Sequence, residues 1–209
     1  MFMNEITAIT PQVKDKRRCN IYVDGRFCCG LTLETTVKHR LKVGQIVTEE
    51  HLSEIQLESE KNTALDKALT HLSATRKTEK QIREYLTGKG YLSAVVDYAV
   101  EKLYSYNFLN DGEYAEAYVE SIGKKKGGRL IRMELRGRGV SDAEIDEALF
   151  AREEGAEEIA AKEILAKYMR NKKADKTTLQ KAYRYLLGKG FDHDAVKAAL
   201  SGLGMDAED

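Results

Sequence analysis

The chain has 209 residues, 42% hydrophobic and 33% charged, with one proline and no tryptophan, a balance that favours a helical protein with charged outer faces. Its 34 cationic and 34 anionic side chains cancel, which argues against a surface built to grip phosphates along its whole length. No apolar run approaches the roughly 20 residues of a membrane span, no signal-type hydrophobic region opens the chain, and Cys19, Cys28 and Cys29 lack metal spacing, so a cytoplasmic protein without metal or other cofactor is expected.

Residues 1–17 read as a polar lead-in. The alternating run Cys19–Val23, the pair Asp24-Gly25 and the run Phe27–Leu31 then predict a β-hairpin, because a type I′ turn needs positive φ at both central residues. A lone hairpin is marginal in water and needs support, from a third strand near 46–47, from the first helices or from a partner. Lys38–Gly44 reads as a short helix. Thr48 is placed to cap a longer one that opens with Glu49 and Glu50 and runs to about Ser73, with one break near Asn62.

A repeat follows. Leu86-Thr87-Gly88-Lys89-Gly90-Tyr91, Leu135-Arg136-Gly137-Arg138-Gly139-Val140 and Leu186-Leu187-Gly188-Lys189-Gly190-Phe191 share the pattern Leu-x-Gly-cation-Gly-apolar. They recur at about fifty residues, a period that signals an array of similar units. Before each phrase lies a short helix, opened by Thr78–Gln81, by Gly127-Gly128 or by Thr177–Gln180. After each comes another, capped by Ser93, by Ser141 with Glu144, or by Asp192. The trios Val96/Ala99/Val100, Ile145/Ala148/Leu149 and Val196/Ala199/Leu200 give the later helices one apolar stripe at helical spacing. Leading helices near 61–74, 112–122 and 156–170 complete three-helix units, and Asp206, Glu208 and Asp209 make an acidic tail. The phrase reads as a helix stop: the first glycine left-handed, the cation facing the negative helix end, the second glycine turning the chain. It lacks the strand and spacing of a phosphate-binding loop.

Neutrality hides segregation. Residues 124–138 carry seven cations against Glu134, residues 142–158 eight anions against Arg152, and residues 167–189 eight cations against Asp175. A helix–turn–helix DNA reader is disfavoured in the second unit, because Asp142, Glu144, Asp146 and Glu147 on its third helix would repel phosphates. No catalytic constellation emerges, and Tyr114 and Tyr118 read as core. A non-enzymatic protein is expected.

The segment Asp111–Val119, the basic loop Lys124–Arg129 and the run Ile131–Val140 together resemble the signature of the RecX family, bacterial regulators of the RecA recombinase. The residues that carry the resemblance are Asp111, Tyr114, Ala115, Tyr118, Glu134, Leu135 and Gly139. One departure is the first unit, where Glu79 and Glu84 offset Arg76, Lys77, Lys80, Arg83 and Lys89. The resemblance implies a mainly α fold: an elongated, curved array of three tandem three-helix repeats behind a small β-hairpin segment. Segments 1–58, 59–109, 110–153 and 154–209 are the expected parts. It further implies a monomer that enters the groove of the RecA–single-stranded DNA filament and suppresses ATP hydrolysis, strand exchange and filament growth, with at most weak direct contact with DNA. Lys124, Lys125, Lys126, Arg129, Arg132, Arg136 and Arg138 are then the candidate contact strip. Arg132, with Gly128 and Arg136 as its i−4 and i+4 neighbours, lacks an ion pair on its own helix and is expected to face outward, available to a partner. Two rivals are a tandem helix-turn-helix protein whose main ligand is DNA and a generic helical-repeat adaptor for an unrelated protein.

Overall fold

The computed structural model describes residues 4–13 and 15–202; the acidic tail lies outside the described residues. An antiparallel sheet comes first, built from β1 (Asn4–Pro11), β2 (Arg18–Val23), β3 (Arg26–Thr32) and β4 (Ile46–Val47) in the order β3-β2-β1-β4. The β2–β3 hairpin turns at Asp24 and Gly25 with φ of 46° and 76°, as the Asp-Gly pair requires. The lead-in is a correction: residues 4–11 of it are β1, an inner strand, and the expected third strand at 46–47 pairs with β1 and not with the hairpin. Only Ile6 of β1 is fully buried and a bulge follows it, so the alternation that would announce a strand is missing.

Helix α1 (Leu33–Lys38) is capped by Thr32, and the chain then turns at Arg40 (φ 50°); the helix expected at 38–44 is instead this helix and its exit. Helix α2 (Glu49–Ala74) is capped by Thr48 as expected and runs unbroken past Asn62. Its first half packs Leu52 and Ile55 on the sheet, where the Ser59 hydroxyl accepts from the Thr32 N–H at 2.8 Å. Its second half packs Ala64 and Ala68 into the first three-helix core. The apolar face changes partner, and that change imitates a break in the pattern.

Helices α3 (Glu79–Gly88), α4 (Ser93–Ser105), α5 (Asp111–Ile122), α6 (Gly128–Gly137), α7 (Asp142–Phe150), α8 (Ala156–Met169), α9 (Lys176–Gly188) and α10 (His193–Ser201) complete three three-helix cores together with α2. The reciprocal caps at Thr78/Gln81 and Ser141/Glu144 form. Two caps shift. Leu92, not Ser93, is the N-cap of α4, and Asp175 caps α9 ahead of Thr177 by accepting from the Thr178 N–H at 2.8 Å.

The Leu-x-Gly-cation-Gly phrase ends α3, α6 and α9 identically, and it reverses the expected roles of its glycines. The first glycine of each pair is still helical. The second is left-handed: Gly90 at φ 88°, Gly139 at 91° and Gly190 at 88°. The N–H groups of Tyr91, Val140 and Phe191 reach back to the carbonyls of Leu86, Leu135 and Leu186, and those of the three left-handed glycines to Thr87, Arg136 and Leu187. This is the six-to-one, five-to-two closure that satisfies the last helical carbonyls, with an apolar pair clamped beneath it. The cation does not simply face the helix end. Lys89 lies over the Tyr85 ring at 5.5 Å, Arg138 over Tyr118 at 4.5 Å and Lys189 over Tyr185 at 5.5 Å.

By contacts the chain forms two units, 1–75 with 82–109, and 76–81 with 110–209. Inside the second unit the phrase is also a joint. The Gly127 N–H donates to the Lys189 carbonyl at 3.0 Å and the Arg129 N–H to the Gly190 carbonyl at 3.1 Å, so the weakly capped start of α6 is capped by the next turn. The Thr78 hydroxyl donates to the Arg138 carbonyl at 2.6 Å in the same way. A Cβ on Gly190 would stand 2.3 Å from Leu130 Cβ, whereas one on Gly90 would meet nothing within 4 Å. Gly90→Ala is therefore expected to cost only the left-handed backbone, roughly 1–2 kcal/mol. Gly190→Ala adds overpacking and should cost roughly 2–5 kcal/mol. Urea unfolding of the two variants checks the order, and an equal loss would refute the joint.

Candidate partner interface

The seven candidate cations are not one free strip. Lys124 and Lys125 stand exposed on the loop after α5, and among the described residues their side chains take no hydrogen bond or ion pair. Lys126 is held by Glu134, and Arg138 donates to the Tyr114 hydroxyl while lying over Tyr118. Arg129 donates to the Leu187 carbonyl at 2.7 Å. Arg132 and Arg136 reach across to α7, where they pair with Asp146 and, at 2.5 Å, with Asp142. The expectation that Arg132 lacks a partner is corrected. Its mate sits on the neighbouring helix, beyond the reach of an i±4 argument. The basic and acidic blocks thus partly neutralise each other within one three-helix bundle.

The residues that carried the family resemblance are structural. Ala115 and Leu135 are fully buried. Asp111, 6% exposed, accepts the Glu79 N–H at 2.9 Å, and burial pushes its carboxyl above the usual range despite that bond. Around Glu134 a network closes the loop onto α5 and α6. The Tyr118 hydroxyl donates to Glu134 at 2.6 Å, Lys126 binds the other carboxylate oxygen, and the Tyr114 and Tyr118 rings stack at 6.3 Å. Burial, then the Glu134 carboxylate, pushes the Tyr118 hydroxyl up to about 12. Burial also opposes ionisation of Glu134, but Lys126 and Tyr118 outweigh it and hold the carboxyl below its ordinary range. Gly139 is needed for its positive φ and for contact: a Cβ there would lie 2.5 Å from Lys80 Cβ.

Sequence reasoning missed an apolar element. Beside Arg129, Arg132 and Arg136 runs a groove of about 460 Å³ whose remaining lining is Leu130, Met133, Leu187, Gly188 and Gly190. Met133 is 63% exposed. Only the spacing of Met133 opposite the buried Ile131/Leu135 pair could have marked it as outward.

Three tandem three-helix bundles following a small antiparallel sheet define a helical-repeat protein, with a dense basic segment at residues 124–138 of the second bundle. Four family models cover it: the regulatory protein RecX N-terminal domain over residues 4–48, and the first, second and third RecX three-helix domains over 64–103, 110–149 and 156–200. The chain belongs to the RecX family of regulatory proteins. It is 31% identical over 205 residues to the regulatory protein RecX of Clostridium tetani, covering 96% of this chain and 95% of that one. Against that of Clostridium perfringens strain 13 it is 35% identical over 196 residues, with 92% of each covered. A crystal structure of a regulatory protein RecX superposes with a TM-score of 0.74 at 26% identity, over 95% of this chain and 99% of that one. The fold of RecX from Lactobacillus salivarius is also similar, with a TM-score of 0.65 at 22% identity over 69% of this chain and 97% of that one.

Glu134 makes the network acid-sensitive. A carboxyl whose pKa is depressed by folding stabilises the fold above its unfolded pKa, and that stability is lost as pH falls through the folded value. Unfolding should therefore become easier as pH drops below 4.5, the ordinary glutamate value, and Glu134→Gln should flatten that part of the profile. Tyr118→Phe, which removes one bond to the carboxylate, should cost about 1.5 kcal/mol in urea at neutral pH. An unchanged acid profile in Glu134→Gln would count against the network.

Proposed function

We propose that the chain is a non-catalytic cytoplasmic regulator of the RecA recombinase. It acts as a monomer on the RecA–single-stranded DNA filament and inhibits ATP hydrolysis, strand exchange and filament growth, thereby restraining recombination and DNA repair. Family membership supports the regulatory role. The observation that carries the contact assignment is the second bundle's division of labour. Lys126 and Arg138 lock its interior, which leaves Lys124, Lys125, Arg129, Arg132 and Arg136 on the outside of a rigid support. Exposed ion pairs such as Arg136–Asp142 contribute little to stability and leave further guanidinium N–H groups for a partner's anion. Zero net charge with cations gathered on one helix suits a mixed protein–nucleic acid surface better than naked DNA.

The direct test adds the chain to active RecA filaments and follows ATP turnover; no inhibition at near-stoichiometric protein would overturn the reading. In the same assay Lys124→Glu/Lys125→Glu, which leaves Lys126 and its bond to Glu134 in place, should raise the half-inhibiting concentration by about tenfold and weaken its salt dependence. Undiminished inhibition by the folded double variant would remove these lysines from the interface. Tight binding to bare duplex with no effect on filaments would favour the helix-turn-helix reading.

A further inference from the structure

We propose that the groove between α6 and the α9–α10 turn docks an acidic peptide segment that carries a large apolar side chain. This rests on the regulatory reading above and names the part of that surface which recognises protein. Leu130, Met133 and Leu187 supply an apolar floor, and Arg129, Arg132 and Arg136 line it along one face of α6. Each guanidinium is aimed by an internal acceptor: the Leu187 carbonyl, Asp146 and Asp142. A guanidinium has five N–H donors, so one internal bond fixes its plane and leaves others for an incoming carboxylate. Holding the arginines in place beforehand lowers the ordering cost of binding. Asp146 is more exposed than Arg132, at 62% against 30%, and Asp142 about as exposed as Arg136, at 59% against 56%, so solvent and salt screen both aspartates.

The occupant is a peptide on three counts. Met133 is a long, adaptable apolar side chain left 63% exposed beside three charges, which suits a partner's apolar residue and not a phosphate. Among the described residues no aromatic ring lines the groove, and single-stranded nucleic acid is commonly held by stacking on such rings along a basic groove. Asp142 and Asp146 stand beside the arginines, where a continuous phosphate chain would be repelled more than a segment with a few separate carboxylates.

Fluorescence anisotropy of the full chain with a fluorescein-labelled peptide of alternating glutamate and leucine tests this. Three comparisons accompany it: a peptide with serine in place of leucine, an oligothymidylate, and the variants Met133→Glu, Met133→Leu and Arg136→Glu, their folding checked by circular dichroism. The glutamate–leucine peptide should bind. Met133→Glu and Arg136→Glu should each weaken it by at least about tenfold, while Met133→Leu retains it. The proposal is overturned if the peptide does not bind, if the serine peptide binds as well, or if Met133→Glu binds as wild type does. It is equally overturned if oligothymidylate binds with the same Met133→Glu sensitivity, which would make nucleic acid the occupant. No filament is present in this assay, so loss of the regulatory reading would register separately, in ATP turnover by the wild-type chain. Full filament inhibition by Met133→Glu would leave that reading standing and overturn the groove as its contact.

Discussion

The second bundle depends on two outward-turned carbonyls, those of Arg138 and Lys189. Each is presented by a helix that closes on a left-handed glycine, and each accepts a donor from the N-cap residue of an earlier helix: the Thr78 hydroxyl in one case and the Gly127 N–H in the other. The donors differ in chemistry but occupy the same place. A helix start leaves its first N–H groups unsatisfied, and a helix stop of this type leaves a carbonyl facing out. Joining the two meets both needs; at α6, where the Gly127 N-cap has no side chain, the turn carbonyls take the Gly127 and Arg129 N–H groups and the Glu157 carboxylate takes that of Gly128 at 3.0 Å. The backbones then approach so closely that only glycine fits: a Cβ on Gly127 would lie 2.2 Å from the Phe191 nitrogen. In the third bundle Asp175 occupies the corresponding N-cap place and caps its own helix, its side chain accepting from the Thr178 N–H.

This joint was half legible in the sequence. The fifty-residue recurrence, the apolar stripes and most caps follow from local spacing, and each lies where the pattern places it. What local spacing does not carry is which glycine takes the positive φ, because both orders of a Gly-x-Gly stop satisfy the same composition rule; three-dimensional closure onto Leu86, Leu135 and Leu186 decides it. Strand β1 was hidden for a related reason. It is held between β2 and β4 by backbone bonds while burying little beyond Ile6, so hydrophobic alternation had nothing to report.

The candidate surface shows the same division. The cations of residues 124–138 are plain in the sequence, but their partners lie on other helices or on backbone. Arg132 meets Asp146 by way of a turn, and Lys126 meets Glu134 across the start of α6. Comparison among the bundles separates architecture from specialisation. Arg83 pairs with Asp97 at 2.5 Å in the first bundle at the positions where Arg132 and Asp146 stand in the second. In the third, Tyr183 occupies the arginine's place and bonds His193 at 2.6 Å. A polar clasp between the second and third helices therefore belongs to the repeat itself.

Specialisation must then reside in what the second bundle adds to that shared clasp. It adds Lys124 and Lys125 without internal partners among the described residues, Arg129 on the carbonyl of the following turn, Arg136 as a second cross-helix arm, and an exposed Met133 between them. The structural network of Tyr114, Tyr118, Glu134, Lys126 and Arg138 belongs to the same helix α6 and the loop before it. A contact surface made of long, flexible side chains loses much of its binding energy to ordering unless its base is fixed. The part-buried network of Tyr114, Tyr118, Glu134, Lys126 and Arg138 ties the loop after α5 to α6, so the helix that carries the exposed arginines is itself held in place.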